Sequence, residues 1–357
     1  MAITYGPSGQ PAQSTFNYDA LVATSLANYR KTLQDNVSAS NSFFKEISWR
    51  SEDGGLYVAE DLMYELTPVD SYEGYDELPT TPTNGITQAQ FQWSQCATPI
   101  AISELERKKN KHRIVNLVTS KIMQAEIAMK EFYPKAFLQG GMVNGSGANL
   151  YTPYTSLSNG STFVDPLGKL VYYEAGSTWP SLSIGGIDQN TNSWWRNQSD
   201  ESGATTSTGF MNEILHMYNL CSKGPGGPPD LILCDQVTWE LVHQAYRLYF
   251  QNTAKEDGNF PFPNIKFFGS RIVWDEYVPD VSSGTTSTTT YGSMYFLNTK
   301  FFNCAYEAES NFVPTEFQRP TNQDAKFKHI LWMGTVTMSN RRKHGVIGKI
   351  ARTLTQS

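Results

Sequence analysis

The sequence predicts an α+β protein organised around one long helix. Three stretches carry that prediction. Between Ser103 and Tyr133, apolar residues recur at steps of three and four, the period of one helix face. Across residues 54–98, apolar and polar residues alternate in two arms separated by turn residues, the pattern of paired strands. From Phe210 to Phe250 a helix, a short apolar strand and a second helix follow one another, and strand patterns then run towards the C-terminus.

Taken in order, residues 1–18 are polar and carry Gly and Pro, which suits an extended arm. Asp19 to Val37 reads as a short helix with Leu21, Val22, Leu26, Tyr29 and Leu33 on one face. Phe43, Phe44, Ile47 and Trp49 follow in extended spacing, too few to build a core of their own. The first hairpin arm is GGLYVAEDLMYELTPVD and the second is ITQAQFQWSQCA. In the second arm Ala89, Phe91 and Trp93 share one face, and Gln88, Gln90, Gln92 and Ser94 the other. Alternation does not say which face is buried. At ~3.3 Å per residue each arm would span roughly 40 Å, and a two-stranded ribbon of that length needs a surface to lie on.

The long helix begins with a capping-box pattern, Ser103 followed by Glu106. Ile114, Val118, Ile122, Ala125, Met129 and Phe132 form its stripe, widened by Leu117 and Ile127. Pro134 is expected to end or kink it. Its length, roughly 45 Å at ~1.5 Å per residue, is that of a beam.

After a glycine-rich loop (GGMVNGSGAN) that lacks the Lys-Ser/Thr of a phosphate loop, residues 150–183 are irregular. Trp194 and Trp195 sit among polar neighbours and are expected to pack under a loop. Phe210–Leu220 reads as a helix with Met211, Ile214, Leu215 and Tyr218 inward, ended by GPGGPPD. Leu231–Cys234 reads as a buried strand. Asp235 then caps a helix to Phe250, with Val237, Leu241, Val242, Ala245 and Leu248 inward. A tight hairpin turns at Gly269-Ser270, an exposed low-complexity loop covers 281–290, and SMYFLN, KFKHILWMGTVTMSN and GVIGKIA read as strands.

The 357 residues allow a sizeable core and two domains. Charged residues are few (17%) and aromatics many (13%), as in a β-rich chain that buries surface against something else. The net charge of −6 argues against nucleic-acid binding by the whole surface and leaves room for a local basic patch. No basic, apolar leader opens the chain and no stretch is apolar and long enough to span a membrane. Cys96, Cys221, Cys234 and Cys304 form no CxxC pair and read as reduced thiols, which fits synthesis inside a cell.

The charge pattern is more specific. From Ser51 to Glu106 there is no Lys or Arg and there are eleven carboxylates, among them Glu60, Asp61, Glu65, Asp70, Glu73, Asp76 and Glu77. Arg107, Lys108, Lys109, Lys111 and Arg113 follow at once. Two solvated faces of opposite sign would explain this. So would self-complementarity, with the acidic hairpin of one copy resting on the basic helix start of another and Phe91 and Trp93 supplying apolar contact. Arg341, Arg342 and Lys343 form a second basic cluster, readable as a solvated turn or as a contact with nucleic-acid phosphates.

No catalytic constellation accompanies these features. His112, His216, His243, His329 and His344 are scattered, and neither HExxH, a Cys/His quartet, a calcium loop nor GxSxG occurs. The chain therefore reads as a non-enzyme with no cofactor and no metal. A hydrolase with a hairpin lid would need a nucleophile and base at compatible positions, and none shows.

The order of parts resembles the major capsid protein of tailed bacteriophages, the Hong Kong 97-type fold. The phrases GGIDQNTNSWWRN, SMYFLNTKFF and SNRRKHGVIGKI are similar to stretches of that family, and the resemblance covers the chain from about Asp19 onward. It implies an N-terminal arm (1–53), an extended-loop hairpin (54–98), a peripheral domain with the spine helix (99–149), an axial domain (150–300) and peripheral C-terminal strands (301–357). It implies a shell protein in the virion, assembled in the host bacterial cytoplasm as hexamers and pentamers around double-stranded DNA. Implied partners are other copies, a portal protein, either a separate scaffolding protein or a scaffolding segment removed by cleavage upstream of Met1, and in some members a decoration protein, with no membrane. Some members cross-link through a lysine on the extended loop. None exists here between Ser51 and Glu106, so no such cross-link is expected. Encapsulin-type compartments share the fold and enclose enzymes instead of DNA; they are the alternative.

Overall fold

The computed structural model describes residues 43, 47–78, 80, 83–109, 117–138, 164–174, 179–250, 266–278, 281–282 and 290–355. The expected arm at 1–18, the helix at 19–37 and the glycine-rich loop after the long helix lie outside these residues. The strands up to the first helix are β1 (Ser48–Glu52), β2 (Tyr57–Met63), β3 (Ile86–Gln92) and β4 (Ser94–Ser103). Helices α1 (Glu104–Lys109), α2 (Leu117–Leu138) and α3 (Leu167–Leu170) follow, then β5 (Ser183–Ile184), β6 (Ile187–Asp188) and β7 (Gln198–Glu201). Next come α4 (Ser207–Ser222), β8 (Leu231–Cys234), α5 (Gln236–Phe250), β9 (Lys266–Phe267), β10 (Ser270–Trp274) and β11 (Val281–Ser282). Strands β12 (Thr290–Leu297), β13 (Phe302–Pro314), β14 (Ala325–Met338) and β15 (Gly345–Ile350) complete the chain.

The chain divides into two compact units, one of residues 1–39, 96–132 and 312–332, the other of residues 40–95, 133–311 and 333–357. In the first unit the capping box forms as expected. The Ser103 N–H donates to Glu106 Oε2 at 3.2 Å, giving an otherwise orphaned donor a partner. The same carboxylate oxygen takes Lys121 Nζ at 3.0 Å, and that ammonium also donates to the Ala101 carbonyl. Ala125 and Met129 of the expected stripe are buried, with Ile100, Ile102, Ile330 and Trp332.

The long helix starts at Glu104, as expected, and does not end at Pro134, where an end or a kink was expected. Helix is described as α1 and α2, and residues 110–116, with Lys111, Arg113 and Ile114, lie outside the described residues. At the other end α2 runs through Pro134 to Leu138. Proline removes one helical hydrogen bond. Here the residues around it, Tyr133, Ala136, Phe137 and Leu138, are buried, so packing offsets the lost bond. Phe137 stacks on Phe43 with centroids 5.5 Å apart and meets Phe302 edge-on at 6.1 Å.

The second unit holds a seven-stranded mixed sheet ordered β7-β15-β12-β8-β10-β9, with β11 on β12. β8 pairs parallel with β10 and antiparallel with β12. All four β8 residues are buried, which explains its unbroken apolar run. Helices α4 and α5 contribute Phe210, Ile214, Met217, Cys221 and Val242 to a core shared with Ile232, Ile272, Met294, Phe296 and Ile347. Asp235 caps α5 as expected, accepting the Thr238 N–H at 3.3 Å, and Arg352 pairs with it. Leu215 and Val237, expected inward, are exposed, because Met217 with Cys221 and Leu241 with Val242 take the inner positions. The β9–β10 turn is Phe268-Gly269, one residue earlier than read, since Phe267 pairs with Ser270. Both turn residues have positive φ, as a two-residue hairpin of this kind requires.

A second sheet is ordered β1-β13-β14-β4, with β1 parallel to β13 from Ser48↔Asn303 to Glu52↔Glu307.

Candidate assembly surface

Half of the exposed large apolar residues among the described residues belong to the hairpin. Its ladder is shorter than the alternating pattern implied. β2 and β3 pair from Tyr57↔Gln92 to Met63↔Ile86, and beyond Trp93 the chain leaves as β4 for another sheet. The alternating pattern runs on through this change of partner, so it could not show where the ribbon ends. Val58, Leu62, Ala89 and Phe91 are buried, while Gln88, Gln90 and Gln92 face out. Trp93 is half-buried.

What covers the inner face belongs to the same chain. The β5–β6 turn lies against it: the Gln90 N–H donates to the Gly185 carbonyl at 2.9 Å. A β-carbon on Gly185 would come within 2.9 Å of the Ala89 Cβ and 3.2 Å of the Phe91 ring. Trp195 is buried and its Nε1–H donates to the Ile184 carbonyl at 3.0 Å. Trp194 stacks on Tyr64, at the end of β2, with centroids 5.0 Å apart and planes 22° apart. Trp195 is thus packed beneath the 184–185 segment, whereas Trp194 is half-buried against Tyr64, and together with the β5–β6 turn they form a saddle for the hairpin.

Beyond the saddle, the described residues between 64 and 85 belong to a tip closed at its neck. The Tyr64 N–H donates to the Gly85 carbonyl at 2.9 Å and the Tyr64 hydroxyl to the Asn84 carbonyl at 2.7 Å. Leu66, Val69, Tyr72, Tyr75 and Leu78 are all exposed there, interleaved with the exposed carboxylates Glu65, Asp70, Glu73, Asp76 and Glu77. Asp76 ties the loop locally by accepting the Glu73 N–H at 2.9 Å. Five exposed large apolar residues thus fall within residues 66–78, interleaved with charge.

The other site residues separate by environment. Glu60 is not free for an outside cation, because Arg50 Nη2 lies 2.9 Å from its Oε1. Asp61 accepts from Gln88 Nε2 at 3.2 Å across the ladder. Lys108 and Lys109 are exposed on α1, which also contains Arg107.

The cluster at 341–343 is a correction. Arg341 and Lys343 are buried and do not face DNA in this fold; Arg342 alone is exposed. Lys343 Nζ donates to the carbonyls of Ser222, Lys223, Gly224 and Gly227 at 2.9–3.3 Å, closing the C-terminal end of α4 where carbonyls lack helical partners. Arg341 donates to four neutral acceptors. Burial pulls its guanidinium down to about 9, so it stays charged at neutral pH. His344 is buried beside it. Burial, and then the Arg341 charge, push the imidazole down to about 3, and its Nδ1 accepts the Asn298 N–H at 3.3 Å. The sequence showed three adjacent cations, and nothing local distinguished one pointing outward from two pointing in.

Among the described residues no group of three His, Cys, Asp or Glu lies close enough to hold a metal, and no helix is long and apolar enough to cross a membrane. All four cysteines are free; Cys221, Cys234 and Cys304 are buried.

No protein-family profile and no curated protein matches the chain. Solved structures do. The capsid asymmetric unit of cyanophage A-1(L) is similar with a TM-score of 0.62 and 11% identity, over 90% of this chain and 96% of that one. The capsid of a native GTA particle is similar with a TM-score of 0.57 and 10% identity, over 90% and 93%. The holo-SrpI encapsulin complex from Synechococcus elongatus is similar with a TM-score of 0.55 and 10% identity, over 97% and 99%. The chain has a capsid-shell fold of the α+β class, the fold these three share.

Proposed function

We propose that this chain is the major capsid protein of a tailed bacteriophage. Copies of it build the hexamers and pentamers of an icosahedral shell around double-stranded DNA. In the Hong Kong 97-type layout the hairpin is the extended loop, α1 and α2 are the spine, and the unit around α4, β8 and α5 is the axial domain. The observation that carries the reading is the hairpin tip, which exposes Leu66, Val69, Tyr72, Tyr75 and Leu78 on a ribbon whose base is already seated in its own chain. Such a tip is suited to a second copy. Its carboxylates and the cations Arg107, Lys108, Lys109, Lys111 and Arg113 have the opposite signs that steer one copy onto another. Phe91 and Trp93 then act from within, by shaping the hairpin. A portal, a separate scaffolding protein and a decoration protein would complete the particle, and Arg342 is the one residue of its cluster left to meet DNA.

An encapsulin-type compartment is the second reading, supported by a likeness to the SrpI shell that spans 97% of this chain. Negative-stain microscopy of the chain expressed alone, with nuclease-resistant nucleic acid measured in the same particles, tests both. Closed shells or rings support a shell protein, protected DNA selects the phage reading, shells filled with host protein select the compartment, and empty shells support a shell protein of either kind. A monomer that never forms rings, with or without a co-expressed scaffold, overturns both.

A further inference from the structure

Arg341 presents a physical puzzle. It lies in the single 3₁₀ turn Arg341–Lys343 between β14 and β15 and is 1% exposed. Among the described residues, every hydrogen bond of its guanidinium goes to a neutral group. Nε donates to the Leu170 carbonyl at 3.0 Å and Nη1 to the Trp195 carbonyl at 2.7 Å. Both terminal nitrogens reach Gln189 Oε1 at 3.2 Å, and Nη2 donates to Asn197 Oδ1 at 3.1 Å. The guanidinium also lies over the Trp195 ring, 5.8 Å from its centroid. Removing a cation from water without a counter-charge is expensive. What the expense achieves is visible in where the acceptors lead.

From Trp195 the path runs to the hairpin in two directions. The indole N–H holds the Ile184 carbonyl, and the next residue, Gly185, accepts the Gln90 N–H and lies under Ala89 and Phe91. The adjacent Trp194 stacks on Tyr64 at the neck of the tip. Asn197, held by the same guanidinium, clamps residue 172 through the Tyr172 N–H and carbonyl at 3.0 and 2.9 Å. One planar fork therefore joins separate loop segments into the saddle, and the saddle touches β3 and the end of β2. An aliphatic side chain would take this donor from the buried Leu170 and Trp195 carbonyls and from Gln189 Oε1, and leave Asn197 Oδ1 with the Tyr172 N–H alone. Lysine offers three donors from a point and no plane to stack.

We propose that Arg341 is the positioning residue of the hairpin: it fixes the saddle, and the saddle fixes the direction in which the tip 64–85 is presented to a neighbouring copy. The last clause rests on the shell reading; the coupling of Arg341 to the hairpin does not. The test is hydrogen exchange on the full-length, unassembled chain, comparing wild type with Arg341→Lys, Arg341→Met and Trp195→Phe. We expect β2, β3 and residues 183–197 to exchange about tenfold faster or more in both Arg341 variants, while β8, β12 and α4 keep wild-type protection. Lysine should not rescue, because the fork is what matters. Trp195→Phe keeps a buried ring but loses the bond to Ile184 and part of the ring that Arg341 lies over, so it should show the same pattern at smaller amplitude; it also serves if the Arg341 variants fail to fold. Wild-type exchange in the hairpin of Arg341→Met, or of Trp195→Phe where the Arg341 variants do not fold, overturns the proposal. So does loss spread evenly through the core, since Arg341 would then be a general stability residue. Microscopy of the same variants reads the shell clause separately: disordered or open assemblies from variants whose cores are intact support it, and normal shells overturn it. If wild type forms no shells even with a co-expressed scaffold, the shell reading fails while the exchange result stands.

Discussion

Gly185 and Ala89 meet where the hairpin rests on its saddle: a β-carbon on Gly185 would stand 2.9 Å from the Ala89 methyl. Gly185 also has φ +60°, a conformation other residues adopt at a cost. The contact seats a ribbon that could not hold itself flat in water.

Gly185→Ala is therefore expected to destabilise the second unit by ~1–3 kcal/mol, through clash and backbone strain together. Urea unfolding measures the loss. A variant as stable as wild type would mean the hairpin is not seated where the geometry places it.

The tip should matter for assembly and hardly at all for folding. Replacing Tyr72 and Tyr75 with serine removes two exposed rings, so the unfolding midpoint should stay within the ~0.5 kcal/mol typical of surface changes. Shell yield by sizing and microscopy should fall sharply.

Charge complementarity has its own test. Lys108→Glu with Lys109→Glu should impair assembly and leave monomer folding intact, with the wild-type reaction weakening as salt rises. Adding Glu73→Lys and Glu77→Lys to the same chain should restore part of the yield. Normal shells from the first pair would remove this role for the helix start.

The basic turn predicts two opposite behaviours from neighbouring residues. Lys343→Met leaves four carbonyls at the end of α4 without their donor and should cost ~1–3 kcal/mol. Arg342→Glu is a surface change that should leave stability alone. If Arg342 meets DNA, it should lower the nucleic acid retained by shells as salt rises.

His344 predicts acid sensitivity of known sign. The unfolded imidazole takes a proton near pH 6.5, while the buried one, held at about 3, does not. The unfolded chain thus binds more protons throughout that window, and stability falls as pH drops through it, by about 1.4 kcal/mol per unit. Between pH 7 and 5, above most carboxylate titration, the slope should belong largely to His344. His344→Gln, which still offers an acceptor to the Asn298 N–H, should flatten the slope in urea unfolding across that range.

What could be read without coordinates followed from periodicity and local chemistry. The Ser103–Glu106 box, the Asp235 cap and the buried β8 run each depend on residues a few positions apart, and each formed as read. The chain's own pattern also settled that Ala89 and Phe91 share a face. Which way that face points was decided by Gly185 and the tryptophan loop, about a hundred positions later in the chain. Pro134 was read from its ring alone, yet the burial of Phe137 against Phe43 and Phe302 carried the helix past it. Three adjacent cations looked alike in sequence. Tertiary structure turned Arg341 towards the saddle and Lys343 towards the end of α4, leaving Arg342 outside. Local order follows from residues in sequence contact, whereas burial, facing and pairing of charge depend on partners that only folding brings near.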